Sequence, residues 1–165
     1  MLISCNSTGQ QSGSEPPSRL LEDSVAAYNQ ELVRAESQEI DDFILRYQWS
    51  MKKTATGLRY MIYKQGDGRL VKPDDMVSIR YKINLLTGES VLRSDSVAFI
   101  TLLMGRRQVV SGLEEGVLLM KQGSKAKLIV PTHLGYGLLG DKATIPAGAA
   151  IVFDVEVIRA EKSKK

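Results

Sequence analysis

Cysteine and histidine are nearly absent from this chain, because its 165 residues include one of each, Cys5 and His133. A single cysteine excludes an internal disulfide bond and any metal site that is built from several thiolates. A single histidine excludes a cluster of imidazole ligands, and the placement of the two residues does not suggest a nucleophile paired with a base. We therefore expect no metal, no cofactor and little proton transfer by cysteine or histidine.

A large excess of charge is also missing, since 22 basic residues and 19 acidic residues leave a net charge of +3. The basic residues are scattered among acidic ones and no aromatic residues alternate with them, which argues against nucleic-acid binding. The densest basic stretches, residues 121–127 and 162–165, are interpreted as solvated surface. A hydrophobic content of 43% and a charged content of 25% are typical of a soluble globular protein. The length allows one domain with an extension.

The start of the chain has a short motif followed by a polar stretch. Residues 2–5 (LISC) resemble the lipobox of bacterial lipoproteins, with an apolar residue, a tolerant position, a small residue and then cysteine. The resemblance implies that Cys5 carries acyl chains and anchors the chain to a membrane of the cell envelope. Residues 6–18 have almost nothing apolar to bury, which predicts a disordered tether. Asn6 favours the outer membrane, facing the periplasm, and the alternative is a free cysteine near a flexible start.

Glycine and proline are absent between Ser18 and Trp49, and the apolar residues of this segment recur at helical spacing. They form two patches: Val25, Tyr28 and Leu32, then Ile40, Phe43, Ile44 and Tyr47. Because the residues between the patches are mostly polar, the segment is predicted to be two helices or one long helix with a weak middle. The second patch is interpreted as packing on the following domain. The alternative is pairing with the same helix of another copy, so we expect a monomer or a helix-mediated dimer.

After Gly57 the period of the hydrophobic pattern changes to two, which is typical of β-strands. The clearest strand covers residues 77–85, where apolar residues alternate with Ser, Arg, Lys and Asn as in a sheet with one buried face. Other strands are predicted at residues 58–63, 99–104, 125–130 and 150–159, with a return strand at Val91 and one short helix at 112–120. About five antiparallel strands and one internal helix indicate an α+β domain.

The predicted organisation of the chain has four parts. They are a lipobox remnant and tether (1–17), a helical extension (18–53), the α+β domain (54–160) and a basic tail (161–165).

Four blocks in the second half of the chain resemble the FKBP family of peptidyl-prolyl cis-trans isomerases, in family order and with family spacing. They are residues 104–116 (MGRRQVVSGLEEG), 120–127 (MKQGSKAK), 131–137 (PTHLGYG) and 145–156 (IPAGAAIVFDVE). They look like the segment that leads into the family's helix, its Gly-rich turn and strand, its Tyr-Gly element, and its closing loop and strand. Together with the lipobox and the helical segment, the chain looks like the membrane-anchored FKBP lipoproteins, including the gliding-motility-associated branch.

The resemblance implies an antiparallel half-barrel sheet that wraps around the short helix and leaves an apolar pocket between them. The implied catalytic residues are Tyr136, Ile145 and Phe153, and the implied substrate-binding residues are Tyr81, Ile100, Val109, Val110 and Leu113. By family analogy the Tyr136 hydroxyl and the Ile145 backbone N–H donate hydrogen bonds to substrate carbonyls. The expected partners are proline-containing polypeptide clients and macrolide-type inhibitors. Without the resemblance, several of these residues would be interpreted as plain core.

Three positions depart from the family pattern, one on the pocket floor and two at the pocket mouth. Leu113 stands where tryptophan is common, and the only tryptophan of the chain is Trp49 in the helical extension. Val91 and Leu92 stand where the family usually has Phe-Asp, so the acidic group at the pocket mouth is missing unless Asp95 replaces it. Reduced isomerase activity is therefore expected. The alternatives are a non-catalytic binding module in an envelope complex and a holdase chaperone whose helical extension forms a cradle.

Overall fold

The computed structural model describes residues 17–93 and 99–163, and the chain divides into two compact units, Met1–Ala35 and Glu36–Lys165. The helices are α1 (Pro17–Arg46) and α2 (Ser111–Leu118), with two short 3-10 turns at Thr132–Leu134 and Gly137–Leu139. The strands are β1 (Lys52–Lys53), β2 (Arg59–Lys64), β3 (Asp75–Leu85), β4 (Ser90–Arg93), β5 (Ile100–Leu103), β6 (Lys125–Val130) and β7 (Ile151–Lys162).

Helix α1 is one continuous helix, which decides between the one-helix and two-helix alternatives. It ends because Gln48 adopts a left-handed conformation (φ 53°) and the N–H of Trp49 donates to the carbonyl of Ile44 at 3.1 Å. In the first unit the described apolar side chains Val25 and Tyr28 are 59% and 65% exposed. None of the helices in the described residues has both the length and the hydropathy needed to cross a bilayer.

The strands form one antiparallel sheet in the order β1-β2-β6-β7-β3-β4, with β5 paired to β3. Its longest pairing is between β3 and β7, where Tyr81 lies opposite Val155 and Ile83 lies opposite Phe153. Helix α2 packs closely on one face, because a Cβ atom at Gly116 would lie 2.4 Å from Leu128 Cδ1. The α+β half-barrel expected from the sequence is thus confirmed, with one internal helix.

Apolar residues cover both faces of the sheet. The main core lies between the sheet and α2 and includes Leu113, Leu128 and Phe153. A second cluster on the other face is formed by Ile40, Phe43, Leu86, Ile129, Ala150 and Val152. The neighbouring side chains of β6 and β7 point to opposite faces, which explains why both strands contain uninterrupted apolar runs. The second patch of α1 therefore packs on the domain, as the sequence interpretation held.

Arg59 is a charged residue that is buried in the fold, with 3% of its surface exposed. Its guanidinium donates to Asp41 Oδ1 at 2.9 Å, to Ser37 Oγ at 2.8 Å and to the carbonyl of Gly57 at 2.7 Å. A buried charge requires such partners, because an unpaired one would lose its hydration without compensation. The last turns of α1 thus belong to the second unit through polar contacts as well as apolar ones.

The observed elements differ from the predicted ones at several ends. Strand β1 and the two 3-10 turns were not predicted, and helix α2 begins at Ser111 and ends at Leu118 rather than covering 112–120. Strand β7 continues to Lys162, past the predicted end at residue 159. Short turns of three residues carry no hydrophobic period, which is why the pattern does not reveal them. The four-part division of the chain stays a prediction.

Candidate functional site

A cavity of about 430 Å³ opens on the α2 side of the sheet. Its lining residues are Tyr81, Gln108, Val109, Val110, Leu113, Tyr136 and Phe153. Six of the eight site residues proposed from the sequence are therefore brought together here. Gln108 was missed, although its position directly before the two valines in the same sequence block was a usable signal.

Two aromatic rings form one wall of the cavity. Phe153 on β7 is 1% exposed, and its ring lies 5.8 Å from the ring of Tyr81 on β3, at 61° between the planes. This edge-to-face arrangement follows from the register, because Ile83 is the direct partner of Phe153 and Tyr81 lies two residues further along the same face. Leu113 of α2 is 2% exposed and adds an aliphatic surface. The wall is mainly apolar and packs against the main core.

The start of α2 forms a second wall. Val110 precedes the helix in an extended conformation (φ −57°, ψ 141°), and its carbonyl accepts the N–H groups of Leu113 and Glu114. Its own N–H is one of those that the start of a helix leaves without an intrahelical acceptor. The side chain of Gln108 accepts the N–H of Leu103 at 2.8 Å, which fixes the turn that leads into this wall.

Tyr136 lies in the loop between β6 and β7, after the first 3-10 turn and before the second. Burial raises the pKa of its hydroxyl, and the nearby groups Tyr81 and Asp141 raise this pKa further. The hydroxyl therefore keeps its proton throughout the physiological range and is able to donate a hydrogen bond into the cavity.

The same loop is organised by the carboxylate of Asp141. Its Oδ1 accepts the backbone N–H groups of Ala143 at 2.9 Å, Thr144 at 2.7 Å and Ile145 at 2.7 Å. Its Oδ2 accepts the hydroxyl of Thr144 at 2.8 Å. These bonds, that of Ile145 first, hold the pKa of Asp141 well below its usual range. The side chain of Ile145 is 4% exposed and anchors the loop in the main core.

This arrangement bears on the role that family analogy gives to the backbone N–H of Ile145, which stays a prediction. Its N–H is already donated to Asp141, so a substrate carbonyl would have to displace a carboxylate to reach it. Neither Ile145 nor Ile100 is among the residues that line the cavity. Ile100 lies on β5 opposite Ile79 and packs against the main core.

The pocket mouth is only partly described. Val91, which stands where the family usually has Phe, is half-buried against the main core. Leu92 belongs to β4, which pairs it with Ile83 of β3. Asp95, the candidate replacement for the missing acidic group, and Cys5 lie outside the described residues.

The chemistry of the cavity is limited to binding and orientation by the lining groups. Tyr81, Gln108 and Tyr136 contribute its polar side chains, and the remaining lining residues are aliphatic or phenyl. Within residues 17–93 and 99–163, no group of three or more His, Cys, Asp or Glu side chains is arranged to hold a metal ion.

A sequence model of the FKBP-type peptidyl-prolyl cis-trans isomerases matches residues 68–158, more than half of the chain. The chain belongs to this family. The FKBP-type isomerase FkpA of Aeromonas hydrophila is 40% identical over 116 residues, which are 68% of this chain and 41% of that protein. FkpA of Escherichia coli (strain K12) is 34% identical over 119 residues, 70% of this chain and 42% of that protein.

The FKBP fold is also found by comparison with solved structures. The crystal structure of FkpA from Escherichia coli matches with a TM-score of 0.69 at 26% identity, covering 89% of this chain and 68% of that chain. The chain spans about two fifths of the length of the curated FKBP relatives described above.

Proposed function

We propose that the chain catalyses cis-trans isomerisation of Xaa-Pro bonds and thereby assists the folding of proline-containing polypeptides. The observation that carries this proposal is the cavity in which Tyr81, Tyr136 and Phe153 lie together with the aliphatic residues of the α2 wall. Membership of an isomerase family supports it independently.

The physical basis of the reaction is the loss of amide resonance. Rotating a peptide bond has a barrier of roughly 18–20 kcal/mol, because the planar amide loses its partial double bond on twisting. A twisted amide is less dipolar than a planar one, so water favours the planar forms and an apolar cavity removes that preference. An enzyme that binds the twisted form better than both planar forms accelerates the reaction without an acid, a base or a nucleophile.

Two donors of the cavity would fix the orientation of the substrate. The Tyr136 hydroxyl keeps its proton, for the reasons given above, and would donate to one substrate carbonyl. The N–H of Val110 has no intrahelical acceptor at the start of α2 and would donate to the second substrate carbonyl. The N–H of Ile145 is less suited to this role because it already donates to Asp141. Reduced activity remains the expectation, since Val91 and Leu92 stand where the family usually has Phe-Asp.

The test measures the rate of cis-trans isomerisation of Xaa-Pro peptides in the presence of the unlipidated chain, by a protease-coupled assay or by NMR exchange spectroscopy. The proposal requires catalysis above the uncatalysed rate and inhibition by a macrolide-type ligand that fills the same cavity. Binding of proline peptides without any acceleration would instead identify a non-catalytic binding module.

We further propose that Cys5 is lipidated and that the lipid holds the domain at the bacterial cell envelope, at the outer membrane facing the periplasm. The lipobox-like residues 2–5, the polar tether after them and Asn6 support this assignment, which is that of the FKBP lipoproteins. The precursor should partition with membranes, and Cys5→Ala should release it. Equal partitioning of both forms would contradict the anchor.

A second function, holding unfolded clients in a dimeric cradle, is favoured by the apolar face of α1 in the first unit. Val25, Tyr28 and Leu32 lie at helical spacing and are 59%, 65% and 40% exposed. We propose that this face pairs with another copy of the chain. Sedimentation should then give a dimer for the wild type and a monomer for Leu32→Glu. Monomers for both would remove the dimer and the cradle.

A further inference from the structure

A carboxylate of helix α1, that of Glu36, contacts the loop that contains Tyr136. Glu36 Oε1 accepts the backbone N–H of Thr132 at 2.6 Å and also accepts the hydroxyl of Thr132. Thr132 is 8% exposed, so both bonds are largely shielded from water. We propose that Glu36 is a positioning residue for Tyr136, and that the end of α1 thereby takes part in shaping the cavity. The inference rests on the proposed isomerase function.

The Thr132 N–H needs a partner from outside its own turn. Thr132 is the first residue of a 3-10 turn, and the N–H groups at the start of such a turn have no acceptor within it. A buried N–H without an acceptor is unfavourable, and a carboxylate is a stronger acceptor than a neutral oxygen. Glu36 supplies this acceptor from a position 96 residues away in the sequence.

Further hydrogen bonds connect Thr132 to the site of Tyr136. The N–H of Gly135 donates to the Thr132 carbonyl at 3.1 Å, which closes the turn directly before Tyr136. The Leu134 carbonyl accepts the hydroxyl of Ser111 at 3.2 Å, so the same turn is joined to the start of α2. The backbone that aims Tyr136 into the cavity is thus fixed from Thr132 onwards.

The far end of the loop is held at the same point. The Thr132 hydroxyl lies 3.1 Å from the carbonyl of Gly148, and the N–H of Gly148 donates to the carbonyl of Gly137 at 3.3 Å. The hydroxyl has one proton, which it shares between the Glu36 carboxylate and the Gly148 carbonyl. Glu36 therefore contacts the residue through which both ends of the loop 132–148 are tied.

Other contacts keep α1 in place when Glu36 is changed. Arg59 binds Ser37, the next residue of α1, and Asp41, five residues after Glu36, and Ile40 is fully buried in the second cluster. The first turn of the loop also has a contact that does not involve α1, because His133 Nε2 donates to the carbonyl of Thr56 at 2.8 Å. The effect of Glu36 on the loop is therefore separable from the docking of the helix.

The experiment compares Glu36→Ala with Glu39→Ala, an exposed glutamate on the same helix. Amide hydrogen exchange of residues 132–148 should accelerate in Glu36→Ala by roughly 3- to 10-fold, the factor that one or two hydrogen bonds correspond to. The kcat for a Xaa-Pro peptide should fall by a similar factor with KM less affected. Glu36→Gln keeps an acceptor oxygen at the same place and should restore most of both quantities, whereas Glu39→Ala should change neither.

The exchange readout separates this inference from the proposed function. If the wild type does not isomerise proline, the proposed function fails, and faster exchange confined to residues 132–148 still supports the positioning role. Equal loop exchange in Glu36→Ala and Glu39→Ala overturns it, as does a lower unfolding midpoint with unchanged kcat and no rescue by Glu36→Gln. Should Glu36→Ala not fold, Thr132→Val is measured in the same way, because it replaces the hydroxyl by a methyl group and so removes the bonds of that hydroxyl while keeping the backbone N–H. Unchanged loop exchange in that variant overturns the inference.

Discussion

Asp141 Oδ1 accepts the backbone N–H of Ile145 at 2.7 Å, and this bond closes the loop that forms one side of the cavity. The carboxylate is saturated by backbone and hydroxyl donors of its own loop, so it shapes the site without facing the substrate as a free acid. Because Tyr136 lies at one end of this loop and Ile145 is anchored in the core at the other, the loop is pre-organised before a substrate arrives.

Asp141→Ala should loosen the loop and reduce isomerisation. The substitution leaves the N–H groups of Ala143, Thr144 and Ile145 without their acceptor, and the activity should fall severalfold. Asp141→Asn keeps one acceptor oxygen, so its isomerase activity should fall less than that of Asp141→Ala. Activity of both variants on one Xaa-Pro peptide checks this, and an Asp141→Ala variant with wild-type kcat and KM would contradict it.

The stabilisation by Asp141 should depend on pH in a defined direction. Its pKa is lower in the folded chain than the value of about 3.9 in an unfolded chain. The stabilising effect is therefore fully present above the unfolded pKa and is lost as the pH falls towards the folded pKa. The free energies of unfolding of the wild type and Asp141→Asn in urea should differ most near neutral pH, and the difference should shrink progressively as the pH falls below about 4. A difference that grows on acidification would be inconsistent with this sign.

Gly140→Ala should disrupt the loop more than Gly137→Ala. Both glycines have positive φ, but a Cβ atom at Gly140 would lie 2.1 Å from the backbone carbonyl oxygen of Ile145, whereas a Cβ atom at Gly137 meets nothing within 4 Å. Gly137→Ala should therefore show only the left-handed backbone penalty of about 1–2 kcal/mol. The free energies of unfolding of the two variants measure the contrast. Equal destabilisation would mean that the loop moves easily to admit the methyl group.

Ile40→Ala should destabilise the domain although Ile40 lies outside the FKBP family match. Ile40 is fully buried against the outer face of the sheet, and truncating such a side chain typically costs about 2–5 kcal/mol. Leu45 on the same helix is 76% exposed, so Leu45→Ala is the matched control and should change little. A fragment that begins at Gly57 lacks the end of α1, which packs on the outer face of the sheet. Its free energy of unfolding should therefore be lower than that of a fragment that begins at Glu36. Equal stability of the two fragments would place the domain boundary at Gly57.

Local patterns were sufficient for much of the fold. The alternation in residues 77–85 predicts β3 because a half-buried strand requires a period of two. The pocket residues Leu113 and Phe153 were found only through the family resemblance, since by pattern alone they are core residues, and they do belong to the main core.

The remaining features depend on contacts between distant segments. The burial of Arg59 requires Asp41 of α1, 18 residues earlier, and the bond from Thr132 to Glu36 spans 96 residues. No periodicity within either segment encodes these partners. The bond from the Ile145 N–H to Asp141 could not be predicted for the same reason, because the direction of the carboxylate depends on the loop backbone.

Tyr136→Phe tests most directly whether the cavity is an isomerase site. The change keeps the ring and removes one hydroxyl, which contributes roughly 0.5–1.5 kcal/mol if it orients the twisted substrate, so kcat/KM for a Xaa-Pro peptide should fall severalfold. The free energy of unfolding should stay close to that of the wild type. Tyr63→Phe is the control, because the Tyr63 hydroxyl binds Asp154 away from the cavity lining. Equal kcat/KM in wild type and Tyr136→Phe, or no catalysis by the wild type at all, would contradict the proposed mechanism.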